Sequence, residues 1–152
     1  MRLSLVAFDR TFLDRSAEWL RDEETKRLTR TPDFTAEQQE RFFNSLGQRT
    51  DYHIWGVWLD GEGPIGAVGI KGVAAGTGEY WAYIGERRWW NQGLAAEIFA
   101  QAEEHARGKG IRELLGIIGQ DNPRALKAYE RIGFVRLGEK DGLVTIHKTL
   151  GN

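Results

Sequence analysis

The stretch YIGERRWWNQGLAAEI, residues 83–98, decides how the rest of the chain is read. It opens apolar and strand-like at Tyr83-Ile84-Gly85, then passes through a polar, glycine-bearing turn into a helical pattern. Leu94, Ile98, Ala102 and Ala106 recur four apart, with Ala95 and Phe99 beside them. That spacing gathers apolar residues on one helix face. A strand is therefore expected over Glu79–Gly85 and a helix over Gly93–Arg107, closed by Gly108 and Gly110. Gly93 and Ala95 are small enough to let a ligand approach the backbone at the junction. The first turn of a helix carries unpaired N–H groups and the positive end of its dipole. An anion such as a pyrophosphate suits that point. Packing alone also explains a helix that starts after glycine, and from this junction both readings stand.

Further along, NPRALKAYERIGF, residues 122–134, reads as a helix over Asn122–Ile132. Asn122 is a good N-cap, Pro123 a good first helical residue, and Gly133 a good terminator. Tyr129 lies seven residues after Asn122, about two turns, so the two share a face. Either the pair lines a cleft, or Tyr129 packs into the core.

Outward from these segments, Leu3–Phe8 reads as a strand, and Leu13–Leu28 is helical in part. Thr35-Ala36-Glu37-Gln38 is a capping box opening a helix to about Gln48. Tyr52–Leu59 and Ile65–Val73 form a hairpin, Arg112–Ile118 is a strand, and Phe134–Glu139 pairs with Leu143–Thr149 around Asp141-Gly142. The order βααβββαβαββ predicts an α/β (α+β) fold in one domain spanning 1–152. It has a mixed, mostly antiparallel sheet of about seven strands and about four helices.

Composition narrows the function classes. The chain has 152 residues, 41% hydrophobic, with six Trp, seven Phe and four Tyr, which excludes a disordered tail. It has no cysteine, which excludes disulfides, thiolate metal sites and a Cys nucleophile. A net charge of −1 argues against a nucleic-acid partner. No apolar run approaches a membrane span, and the start MRLSLVAFDR is a poor signal peptide, so a cytoplasmic protein is expected. His53, His105 and His147 lack metal-ligand spacing, and no metal is expected. Gly61-Glu62-Gly63-Pro64-Ile65-Gly66 spells a dinucleotide fingerprint, but it joins two strands with no helix after it, and reads as a turn.

Taken together, residues 83–98 and 122–134 resemble the two signature motifs of the GNAT superfamily of acetyl-CoA-dependent N-acetyltransferases. The resemblance points to the branch of ribosomal-protein N-terminal and small-amine acetyltransferases. It implies a sheet splayed at its central strands to hold CoA. Pantetheine would pair with the backbone near Ile84, Gly85 and Glu86. The pyrophosphate would rest on backbone N–H groups around Asn91, Gln92, Gly93, Leu94, Ala95 and Ala96. Asn122 matches the residue that hydrogen-bonds pantetheine, and Tyr129 the residue near the thioester sulfur, an acid for the leaving thiolate. Trp90 and Ala95 depart from the commonest pattern, which has Gln or Arg and a second Gly; Trp90 is expected to remove a side-chain donor.

The implied reaction is direct attack of an amine on acetyl-CoA, without a covalent enzyme intermediate. Glu79 is the first-choice base, with Asp22, Glu23 and Glu24 as alternatives. Glu23, Glu24, Tyr80 and Trp81 are expected acceptor contacts. The acceptor is a small amine, an amino sugar or a protein N-terminus. No nucleic-acid or membrane partner is expected, and the chain is a monomer or homodimer. A CoA-binding module of the same fold without turnover is the alternative.

Overall fold

The computed structural model describes residues 2–150. Along them run β1 (Leu3–Ala7), α1 (Arg10–Trp19), α2 (Glu23–Thr29), α3 (Ala36–Ser45), β2 (Tyr52–Leu59), β3 (Gly63–Ala74) and β4 (Thr77–Ile84). Then follow α4 (Ala95–Gly108), β5 (Glu113–Gly119), α5 (Pro123–Ile132), β6 (Val135–Lys140) and β7 (Leu143–Thr149). The seven strands form one sheet in the order β1-β2-β3-β4-β5-β7-β6. Every neighbouring pair is antiparallel except β4–β5. Those two are parallel because α4 carries the chain back between them, as a parallel crossover requires.

That parallel pairing is short. Only Thr77, Gly78 and Glu79 of β4 match Glu113, Leu114 and Leu115 of β5. Beyond them β4 stays with β3 as far as Ile84, and β5 stays with β7 as far as Gly119. The sheet therefore opens into a V between its two halves, with the closed end at Glu79.

Two local expectations need correction. The described residues hold five α-helices, not four, because the segment Leu13–Leu28 is broken. Asp22 is extended (φ −67°, ψ 127°) and accepts a bond from the Thr25 amide, so it caps a new helix, α2. The helix after the first motif starts at Ala95, not Gly93. Asn91 and Gly93 both adopt left-handed backbone (φ 61° and 74°), which an α-helix does not accommodate.

The faces of the sheet are packed differently. On one, Tyr80, Phe99, Tyr129 and Phe134 meet edge-on or tilted, at centroid distances of 5.1 to 6.3 Å. On the other, rings lie flat over strand glycines: Phe12 over Gly56 and Trp81 over Gly69, with Trp19 over Gly85 just past the end of β4. A side chain at any of these glycines would occupy the space of the ring. The free edge of β1 is satisfied from α4: the Leu5 amide donates to Gln101 Oε1 (3.0 Å), and Gln101 Nε2 donates to the Leu3 carbonyl (2.8 Å). One amide side chain thus stands in for a neighbouring strand. No helix among the described residues is long and apolar enough to cross a membrane.

Gly56→Ala should therefore lower stability by about 1–3 kcal/mol, because buried Phe12 has no room to move. Gly47→Ala, in open space, should change it by less than about 0.5 kcal/mol. Urea unfolding of the two variants checks the contrast.

Candidate active site

Strand polar groups alternate in direction along an antiparallel pair. The Gly85 and Glu86 amides donate back to the Ile65 carbonyl, at 2.7 and 3.3 Å. They are committed to β3, so the expectation that this backbone segment is free to pair with pantetheine fails for those two N–H groups. By alternation, Ala82 and Ile84 direct their backbone groups into the V. Side chains from the two sequence motifs meet them there. The Trp90 indole Nε1 donates to the Ile84 carbonyl at 2.7 Å, so Trp90 supplies a donor rather than removing one. The Ala82 backbone lies near enough to the Tyr129 phenol to favour its ionised form slightly.

Tyr129 is 9% exposed. Burial raises its phenol well above its ordinary range, and the Ala82 backbone offsets this only in part. The hydroxyl is therefore protonated at any working pH, with the Ala82 backbone beside it. Asn122 accepts from the Ala125 amide at 3.3 Å, as its capping signature predicts. Its side-chain NH₂ has no partner among the described residues.

The start of α4 differs from the other helices. Side chains of Asp9, Asp22, Thr35 and Asn122 cap α1, α2, α3 and α5, whereas α4 has no side-chain cap. The first α-helical bond there is Ile98 N–H to the Leu94 carbonyl, 3.0 Å. A turn closes over Trp90 and Asn91, and from Gly93 to Glu97 no backbone amide has a partner among the described residues. The left-handed turns at Asn91 and Gly93 leave this run of donors at the mouth of the V. Such a concentration of donors at a helix N-terminus is suited to anionic oxygen.

On the α1 side, Glu86 ties the end of β4 to α1. Its carboxylate accepts from Trp19 Nε1 and from Arg15, both at 2.6 Å. Burial pushes this carboxyl up, but the Trp19 and Arg15 bonds together outweigh that and hold it below its usual range. The acidic start of α2 is also engaged. Arg87 reaches Asp22 at 2.5 Å and Glu24 at 3.5 Å, and Lys26 reaches Glu23 at 3.3 Å. Glu23 and Glu24 are thus ion-paired rather than free.

The structure separates some residues that the sequence grouped. Tyr80 is 3% exposed among Phe99, Tyr129 and Phe134, so the expectation that it contacts an acceptor is wrong. Strand alternation turns it to the core, while Trp81 lies on the opposite face, stacked on Tyr83 at 6.0 Å. Glu79 sits at the closed end of the V, 3.7 Å from Lys71. At about 3.3 Å per residue it lies roughly 10 Å along the strand from Ala82, beyond direct reach. Sequence reasoning did not find Arg15, Trp19 or Arg87; the one visible signal was the pair of arginines inside the first motif.

A family model described as the acetyltransferase (GNAT) domain matches residues 2–135. The chain belongs to the GNAT acetyltransferase family. Acetyltransferase Atu2258 of Agrobacterium fabrum is 45% identical over 47 residues, which is 31% of this chain and 33% of that protein. The match therefore spans about a third of that relative's length. The GNAT fold here is similar to the spermidine N-acetyltransferase of Vibrio cholerae solved with CoA and spermine: TM-score 0.87, 16% identity, 97% of this chain and 95% of that one. It is also similar to the Campylobacter jejuni N-acetyltransferase PseH solved with acetyl coenzyme A: TM-score 0.74, 19% identity, 99% and 100% covered. At these identities the likeness establishes the fold. Among the described residues no group of three or more His, Asp or Glu could hold a metal ion.

The Glu86 tie carries a pH signature. A carboxyl whose folded pKa is lowered contributes stability above its unfolded value, near 4.3, and loses it as pH falls through the folded value. Glu86→Gln should cost about 1 kcal/mol at pH 7, discounted for partial exposure. That difference should begin to shrink below the unfolded value and be lost only once pH has fallen past the lowered folded value. Parallel urea titrations of both proteins from pH 7 to 2 check it.

Proposed function

We propose that this chain, taken over 1–152 as one acetyltransferase domain, transfers the acetyl group of acetyl-CoA to a primary amine in a ternary complex. The observation that carries the reading is the coincidence of the V with the uncapped start of α4. One supplies a slot edged by β4 backbone; the other supplies a run of unpartnered amides at its mouth.

Each residue then has a task. The amides from Gly93 to Glu97 hold the pyrophosphate. Ala82 N–H and the Ile84 carbonyl are the β4 groups that pair with pantetheine, together with the Asn122 side-chain NH₂. Tyr129 points its hydroxyl proton at the sulfur. Its raised pKa makes it a hydrogen-bond donor to the developing thiolate rather than an acid that gives up its proton outright, since thiols titrate near 8–9. The amine attacks the thioester carbonyl from the α1–α2 side, past Trp81 and Glu24. Its proton leaves through water towards Glu79, on the same strand face as Trp81. Carbon–nitrogen bond formation and loss of the CoA thiolate complete the exchange without a metal.

The acceptor stays within the classes of small amine, amino sugar and protein N-terminus. The Vibrio cholerae neighbour is a spermidine N-acetyltransferase, and this supports a small amine. A cytoplasmic location belongs to the same reading.

Calorimetric titration with acetyl-CoA should show one site. Thiol release should then follow with one class from a panel of spermidine, an aminoglycoside, a nucleotide-linked amino sugar and an N-terminal peptide. No binding overturns the reading. Binding without release from any acceptor favours the CoA-binding module. For the responsive amine, Tyr129→Phe should lower kcat about a hundredfold with little change in KM for acetyl-CoA. Because burial holds Tyr129 protonated, the wild-type rate should show no alkaline fall from this group below about pH 10.

A further inference from the structure

We infer that Trp90 and Arg87 form one latch that couples the cofactor slot to the acidic start of α2. Cofactor and amine then each strengthen the binding of the other. The inference rests on the acetyl-CoA reading for what fills the slot, and on this chain's own contacts for the coupling.

The contacts form an unbroken series. The Trp90 indole N–H holds the Ile84 carbonyl at 2.7 Å, the β4 acceptor that faces into the V. The Arg87 guanidinium lies 4.9 Å from the centroid of the Trp90 ring. That same guanidinium binds Asp22 at 2.5 Å and Glu24 at 3.5 Å. A donor arriving along the slot takes the Ile84 carbonyl from the indole. Trp90 then turns away, and Arg87 loses the ring it rests on. With Arg87 loosened, Asp22 and Glu24 become available to an incoming ammonium group. Run in reverse, a cationic amine at Asp22 and Glu24 replaces the guanidinium and frees Trp90, which clears the Ile84 carbonyl.

The parts suit a device that must open. Arg87, Asp22 and Glu24 are 50%, 41% and 46% exposed at their side chains, and pairs at such sites are individually weak. A cation over a half-buried indole adds a further modest attraction. A ligand needs only a small difference in affinity between the two arrangements to shift the balance. The coupling must be the same in both directions.

The test is a double-variant cycle on the full chain, read by calorimetry with CoA alone. Trp90→Phe keeps a ring but removes the N–H, and should bind CoA about three- to tenfold tighter, because the Ile84 carbonyl is already free. Arg87→Ala should also bind tighter. The double variant should gain no more than Trp90→Phe does, as residues in one linked unit require. Unchanged or weaker binding by Trp90→Phe, or additive effects, overturns the latch. A second measurement reads the latch without any ligand. The indole proton of Trp90, identified in NMR spectra by its loss in Trp90→Phe, should exchange with water faster in Arg87→Ala than in wild type. Equal exchange rates overturn the latch. If wild type binds no CoA, the acetyl-CoA reading falls, and the exchange rates still decide whether Arg87 holds Trp90.

Discussion

The site depends on the parting of β4 and β5 after three residue pairs. Backbone groups released by two strands inside a sheet need other partners, since buried N–H and C=O groups left alone are costly. Here the outer ladders persist: β4 keeps β3 and β5 keeps β7, so the two halves are stable while their common boundary is open. A side chain from the first motif meets part of the deficit, Trp90 at the Ile84 carbonyl, and Tyr129 of the second lies beside Ala82. The indole is a group that an extended polar ligand can replace. The open boundary is thus stable without a ligand and adapted to one.

The face turned to α1 fixes where that boundary ends. Gly85 leaves room for Trp19, and Trp19 with Arg15 binds Glu86. Gly85 and Glu86 in turn fold back on the Ile65 carbonyl. Several short-range constraints therefore agree on one position for the end of β4. The next residues, Asn91 and Gly93, take left-handed turns and deliver α4 with its amides uncovered. Loss of a side-chain cap costs a helix stability, so an uncapped start on the longest helix is more naturally a feature of use than of folding.

What the sequence disclosed was chiefly local. The Thr35 capping box, the Asn122 cap, the Gly133 stop and the hairpin at Asp141-Gly142 depend on neighbours within a few residues, and the structure holds all of them. The break at Asp22 was equally local: a capping aspartate followed by two glutamates marks a helix start, and apolar periodicity across it concealed that. The misassigned Tyr80 shows a different limit. Its face follows from strand register, and Trp81 next to it has equal aromatic character but faces the opposite way. Glu86 with Trp19, and Arg87 with Asp22, are pairs separated by more than sixty residues. No pattern within one segment reveals such contacts; only the folded sheet brings them together.

The most direct test of this account is an amide-resolved NMR titration of the chain with CoA. The account predicts that the largest shifts fall on Ala82, Ile84 and the amides from Asn91 to Glu97, with the Trp90 indole signal moving among them. No shifts at all contradict it. So do shifts confined elsewhere, such as the surface cleft lined by Leu3, Gln101 and His105, because the V and the uncapped start of α4 would then not be where the cofactor binds.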